Sequence, residues 1–373
     1  MLTFSGFLSL GFSAGLLGVA WPSIAASLAV DPASLGVLIA ASSVGFMLTS
    51  VWSGRLIHWM GVGGVLALSC FTTALSMVGL ASAPRWLFLL LANALLGMGE
   101  GVIDAGLNGY AANHYSSRVL HWMHAFFGLG ATIGPLLMTA LLQAGLAWRW
   151  GYLLIGSGQL VLAISFLLTR RRWIDGTTTA TPAPHAHAPI QALLRLPALW
   201  MGSLVFLLYT GLEVGIGQWS YTLFTLGRAI PAPLAGQWIG LYWGSLTVGR
   251  VVVGFVANRL TPRQLLWIGA IGALMGTSLV AVGDGVWGAC GLLLAGFSLA
   301  PLFPALVATT PNRVPAAYVT DTVGIQIASA VLGSALVPWT LGLLVSGYGL
   351  AIIGPGLVVV AGLYGASYAL LDR

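Results

Sequence analysis

The chain is a succession of apolar runs, each about twenty residues or longer, separated by short polar breaks. A helix needs about 20 apolar residues to cross the hydrocarbon core of a bilayer. Twelve runs meet that length: 3–29, 34–58, 62–83, 86–113, 118–145, 149–169, 197–226, 233–259, 263–282, 285–310, 315–347 and 349–371. Charged residues make up 6% of the sequence, against about 25% in an average soluble domain, which excludes a soluble globular fold. The expected fold class is an all-α membrane protein with twelve transmembrane helices. The first run is too long for a cleavable signal and lacks a charged start, so it is read as the first of these helices.

Every one of the 14 basic side chains is an arginine. With both termini in the cytoplasm, the inner ends and loops carry Arg55, Arg118, Arg170, Arg171, Arg172, Arg195, Arg259, Arg263, Arg313 and Arg373. The outer side carries Arg85, Arg149 and Arg228, and Arg250 lies within a span. That bias is the positive-inside rule, and it predicts a multi-pass protein of the cytoplasmic membrane. The formal charge of +6 is scattered singly between spans and forms no basic face, so no nucleic-acid partner is expected. Cys70 and Cys290 both fall inside spans and read as small apolar residues.

Between the sixth and seventh runs lies RRRWIDGTTTATPAPHAHAPIQALLR, the one polar, Pro- and Thr-rich segment. Such a composition cannot bury a core. It is read as a cytoplasmic linker, 170–195, joining an N-terminal six-helix bundle, 1–169, to a C-terminal one, 196–373. His185 and His187 within it are too weak a pattern to predict a metal site. The halves repeat one another. Gly54 and Gly254 each stand before a cytoplasmic turn, offset by 200 (254 − 54). Gly130 with Pro135, and Gly333 with Pro338, recur at an offset of 203 (333 − 130). Paired six-helix repeats with a solute site near the midplane are a transporter design.

The fourth run carries Glu100, Asp104 and Asn108 at i, i+4 and i+8, which at about 100° per residue stack on one face. A carboxyl near the bilayer centre costs about 2.5–3.5 kcal/mol even on a lenient insertion scale, so it is expected to face a wet cavity or a partner. Two carboxyls one turn apart resist ionising together, and a proton shared between them is a coupling device. Asp104 is read as the cation-responsive acid and Glu100 as the group that tunes it; the bland alternative is that either bridges helices. Glu213 lies mid-span in the seventh run, with Tyr209 one turn before it and Gln218 and Trp219 beyond. Acid, amide and aromatic rings together suit a polyhydroxylated solute. Trp219, Tyr242 and Trp243 fit either a cavity or the lipid interface. Arg250 keeps its proton, so it requires a carboxylate or carbonyls inside the protein.

Several blocks in order carry a resemblance: DAGLN at 104–108, HAFFGLGATIGP at 124–135, YTGLEVGIGQWSYT at 209–222, YWGSLTVGRVVVG at 242–254, LAGFSLAPLFP at 294–304 and GIQIASAVLGSALVPW at 324–339. Over nearly its whole length the sequence resembles the major facilitator superfamily, and within it the fucose permease and sodium-dependent glucose transporter type. The resemblance implies alternating access by two rocking bundles, with solute entry driven by a cation gradient, H⁺ or Na⁺. It places Asp104 and Asn108 on the family's acidic-x-x-x-Asn pattern, His124 at a polar sugar-pocket position and Glu213 on the Tyr-x-Gly-x-Glu block. Arg250 falls on an arginine of the family block, which implies a structural or gating role. In this fold the loop after span two faces the start of span eleven, so Arg55, His58 and Asp321 are candidate gating residues. The sequence departs from the pattern at Gly18, where the fucose permease has an acid in span one. It departs again at His58 and Asn258 in the loop signatures, and at Asn93, where many members place an arginine.

The resulting expectation is a secondary active transporter of a small, neutral, sugar-like solute, acting as a monomer, with no cofactor or metal. A proton-driven exporter of amphipathic compounds in the same fold is the alternative. An intramembrane hydrolase is disfavoured because HExxH and paired cysteines are missing from the sequence and the two-half repeat argues against it. A receptor role would leave the buried acids without purpose.

Overall fold

The computed structural model describes residues 1–115, 117–173, 190–256 and 259–372. His185, His187 and most of the expected linker, as well as Asn258, lie outside the described residues. Within those described, the chain is helical and contains no strand. The helices are α1 (Leu2–Leu28), α2 (Leu35–Ser82), α3 (Trp86–His114), α4 (Ser117–Gln143), α5 (Arg149–Thr169), α6 (Ile190–Leu194) and α7 (Pro197–Thr222). They continue with α8 (Ala232–Val256), α9 (Pro262–Val282), α10 (Val286–Leu299), α11 (Leu302–Thr309), α12 (Val319–Tyr348) and α13 (Ile353–Leu371). Among the described residues, ten helices are long and apolar enough to cross a membrane. Leu91, Leu154, Val161 and Ile164 lie exposed along the mid-parts of α3 and α5, as lipid solvent permits and water would not. The chain is an integral membrane protein.

The expected second and third spans form one element, α2, of 48 residues. At 1.5 Å per residue it would be about 72 Å long if straight, more than twice the ~30 Å hydrocarbon core. It is not straight: Gly61 takes φ 71° and ψ 160°, a conformation open to glycine and strained for other residues. The break divides the element where the sequence predicts a cytoplasmic turn. The expected tenth span is realised as α10 followed by α11, interrupted at Pro301, because proline cannot supply the backbone N–H a continuous helix needs. The span expected at 233–259 is present as α8, although it is not among the ten. Its apolar run is diluted by Gln237, Tyr242, Trp243 and Arg250.

The chain divides into two compact units, Met1–Thr179 with Pro231–Gly240, and Ala180–Ile230 with Leu241–Arg373. In the first, Phe7, Leu66, Ile103, Leu107 and Phe166 form a buried core together with Cys70. Cys290, also read from sequence as a core residue, is instead exposed on α10. Polar side chains stitch α2 to α3 by bonding backbone carbonyls: Asn93 Nδ2 donates to Leu38 O at 2.7 Å, Thr49 Oγ1 to Met98 O at 2.8 Å and Ser76 Oγ to Ala92 O at 2.7 Å. Helix association in lipid relies on close packing and on such bonds, since apolar contact offers little advantage over lipid tails. Asn93, which replaces an arginine of the resembled family, is thus a buried helix staple. In the second unit, α7 ends in a single π-helical turn, Leu223–Gly227. Arg228 follows it, donating from Nη1 to Gly283 O and from Nη2 to Ala281 O, both at 2.7 Å. These bonds satisfy carbonyls at the end of α9 that have no intrahelical partner.

The repeat read from the sequence recurs in the packing of each unit. A Cβ on Gly130 of α4 would lie 2.1 Å from the carbonyl oxygen of Leu8 on α1. A Cβ on Gly333 of α12 would lie 2.0 Å from that of Leu207 on α7. The glycines are 203 residues apart (333 − 130) and the carbonyls 199 (207 − 8), so the same closest approach is built twice.

Candidate functional site

Two polar clusters lie inside the apolar helices, one in each unit. In the first unit, α3 presents Glu100, Asp104 and Asn108 on successive turns. Asn108 Nδ2 donates to Asp104 Oδ1 at 3.0 Å, so the lower acid has an amide donor one turn away. Glu100 is placed differently. Its Oε1 is buried and accepts no hydrogen bond, while the Ser13 hydroxyl of α1, which donates to Ser9 O at 3.5 Å, lies near the carboxyl. Tyr152 of α5, 4% exposed, lies near Glu100. His124 of α4 is exposed, with its ring edge-on to buried Phe7 of α1 at a centroid distance of 5.1 Å.

In the second unit Glu213 is 8% exposed, and each of its oxygens is engaged. Oε2 accepts from the Tyr209 hydroxyl. Oε1 lies 3.6 Å from Arg250 Nη2. The Glu213 backbone carbonyl accepts from the Tyr242 hydroxyl at 2.8 Å. An arginine inside a membrane helix must find a carboxylate or carbonyls, and α7 supplies the carboxylate one helix away from Arg250 on α8. The sequence predicts the need but not the partner, although Glu213 is the acid lying mid-span in that half.

The aromatic residues left open between cavity and lipid are buried within the second unit. Trp219 is fully buried and donates from Nε1 to Pro338 O on α12 at 3.0 Å. Trp243, 4% exposed, lies against Gly217, where a Cβ would come within 2.4 Å of its ring. Its Nε1 is buried without an acceptor. Gln218 is 6% exposed. Arg55, read from the sequence as cytoplasmic, is exposed with its guanidinium 4.5 Å above the Trp52 ring. His58 is exposed, and Asp321 is exposed in the first turn of α12, where a carboxylate complements the helix dipole. Tyr152 carries no signal in the sequence that would have singled it out. Among the described residues, no group of His, Cys, Asp and Glu is arranged to hold a metal ion.

A family model described as Major Facilitator Superfamily matches residues 3–338. A glucose/mannose transporter of Bacillus subtilis is 24% identical over 287 residues, covering 74% of this chain and 70% of the relative. A sodium-dependent glucose transporter 1A of Mus musculus is 22% identical over 394 residues, covering 92% of this chain and 89% of the relative. Among solved structures, a mutant of the nucleoside transporter NupG superposes with a TM-score of 0.85 at 13% identity, covering 100% of this chain and 99% of that one. A bacterial homologue of the lysosomal transporter Spinster, inward-facing and occupied, gives 0.74 at 15% identity, covering 100% and 96%. At such identities the structural likeness speaks for the fold alone.

Proposed function

The chain belongs to the Major Facilitator Superfamily, and we propose that it carries a small, neutral, polyhydroxylated solute of the sugar type across the cytoplasmic membrane by alternating access, coupled to H⁺ or Na⁺. The observation that carries this reading is the strip Glu100–Asp104–Asn108 inside an otherwise apolar α3. Ionisable groups at that depth are costly and serve solute or ion pathways when they are kept. The sugar reading is supported by relatives bearing the names of glucose, mannose and sodium-dependent glucose transporters. In this reading the groups that touch solute are Asn108 and His124, each able to hydrogen-bond a hydroxyl, together with Gln218 and Trp243 as an amide and an indole N–H. Glu213, Arg250, Tyr209 and Tyr242 form the buried frame that holds α7 to α8, and Trp219 ties α7 to α12. Glu100 and Asp104 together form the coupling device.

The test is uptake by proteoliposomes of labelled D-glucose, D-mannose and D-galactose, under an imposed proton or sodium gradient. We expect saturable accumulation above equilibrium with at least one sugar under one gradient. We also expect the doubly neutral variant, Glu100→Gln with Asp104→Asn, to keep exchange but lose accumulation. Absence of saturable uptake of every sugar would remove the solute assignment. Equal accumulation by the double variant and the wild type would remove the two acids from coupling.

A further inference from the structure

The two acids of α3 are unequally served by their surroundings. Asp104 has a dedicated donor, the Asn108 amide at 3.0 Å, and an amide N–H stabilises an ionised acceptor. Glu100 has near it the Ser13 oxygen of α1, whose proton is directed to Ser9 O at 3.5 Å, while its own Oε1 is buried and accepts nothing. An ionised carboxylate has about four lone-pair sites to satisfy, whereas the neutral acid donates one proton and leaves fewer acceptor sites uncompensated. A buried polar atom without a partner costs about 1–3 kcal/mol, and more if it is charged. An acceptor oxygen beside it therefore suits a neutral Glu100, and an amide at the carboxylate suits an ionised Asp104.

The other titratable groups near Glu100 do not reverse that assignment. Tyr152 reaches it from α5 and Asp104 from its own helix; neither brings positive charge. On α4, His124 is turned edge-on to Phe7, and the His121 side chain lies outside the described residues. From α2, the side chains bonded into α3 are Thr49, Ser50 and Ser76, none of which titrates. Among the described residues, the ion pairs are Arg250–Glu213 and Arg263–Asp372, and neither includes an acid of α3.

We propose that Glu100, and not Asp104, is the carboxyl on which the coupling proton resides, held against Ser13, while Asp104 stays ionised on the Asn108 amide. This rests on the coupling role given above to the acid pair, and it divides the labour inside that pair. Release of the proton then leaves a carboxylate with an unserved oxygen, so deprotonation requires water or another donor to reach Oε1. The proton's exit is thereby tied to an opening of the α1–α3 contact.

Infrared difference spectroscopy on the reconstituted, substrate-free protein tests this without reference to the solute. Exposed carboxyls are ionised at neutral pH, so a protonated-carboxyl C=O band present at neutral pH reports a carboxyl that holds its proton. The band is expected in the wild type and in Asp104→Asn, and should be lost in Glu100→Gln. Ser13→Ala should move its frequency, because the hydroxyl contact is gone, and so should Glu100→Asp, which covers the case where Glu100→Gln fails to fold. A band that survives in Glu100→Gln would overturn the proposal, as would loss in Asp104→Asn or absence from the wild type. An unmoved band in both Ser13→Ala and Glu100→Asp would overturn it as well. If these spectra behave as expected while sugar uptake fails, the solute assignment falls and the proton's address stands.

Discussion

Arg250 on α8 sits 3.6 Å from Glu213 on α7, and the acid's other oxygen is taken by Tyr209. Neither charge can be given up singly without leaving its partner uncompensated, because Glu213 is buried and Arg250 largely so. Removing one member of a buried pair costs about 3–5 kcal/mol, whereas replacing both by apolar or neutral groups is often close to neutral. Arg250→Met and Glu213→Gln should each lower the unfolding temperature in detergent. The double variant should recover most of the loss, giving a coupling energy in a double-mutant cycle. Additive losses would show that the two side chains do not support each other.

Asn108 is the donor that keeps Asp104 in place at 3.0 Å. Hydrogen bonds to charged groups are worth about 1.5–3 kcal/mol, and about 1.4 kcal/mol is a tenfold change in an equilibrium. With D-glucose as the probe, Asn108→Ala should raise the KM for uptake about tenfold or more. The unfolding temperature should change little, because the side chain sits at a partly open surface. An unchanged KM in a well-folded variant would remove the amide from the solute path.

The twin contacts of Gly130 with Leu8 and of Gly333 with Leu207 predict twin sensitivities. An added methyl meets a backbone oxygen that has no rotamer to escape into, and overpacking of this kind costs about 1–3 kcal/mol. Gly130→Ala and Gly333→Ala should both reduce the yield of monodisperse protein and the unfolding temperature, by similar amounts. Gly362 on α13 has open space where a Cβ would stand. Gly362→Ala should be neutral or stabilising by up to about 1 kcal/mol, since alanine is the better helix former.

The lengths of the apolar runs were readable because twenty residues of unbroken hydrophobicity have few other uses, and the repeat was readable because glycines and prolines are kept where backbones cross. Gly61 was less so: the sequence places a turn there, whereas the helix continues on both sides of one residue of positive φ. The acids of α3 stood out as isolated charges in apolar surroundings. Their unequal service by Asn108 and Ser13 did not, because Ser13 approaches from another helix 87 residues earlier (100 − 13). For the aromatics of α7 and α8, a tryptophan facing lipid and one packed on glycine look the same in one dimension. Only the placement of Gly217 and Pro338 separates them.

At the other end of the second unit, Asp372 accepts from Arg263 Nε at 2.8 Å and from Trp267 Nε1 at 3.0 Å through the same oxygen. Burial of its carboxyl opposes ionisation. The hydrogen bonds from Trp267 and Arg263, with the charges of Arg263 and Arg313, outweigh that and hold it below the ordinary carboxylate range. A carboxyl depressed in the folded state gives stability that is complete above its unfolded value, about 3.9, and is lost as pH falls through the folded value. The wild type should therefore lose this link on acidification below about pH 4, and Asp372→Asn should remove that part of the acid sensitivity. At neutral pH the variant should cost no more than about 1 kcal/mol, because Arg263 is 69% exposed and solvent screens the pair. Thermal unfolding of both proteins in detergent across pH and salt measures this. The gap between them should narrow as salt is raised, and a gap that persists unchanged at low pH would show that Asp372 acts through packing and not through its charge.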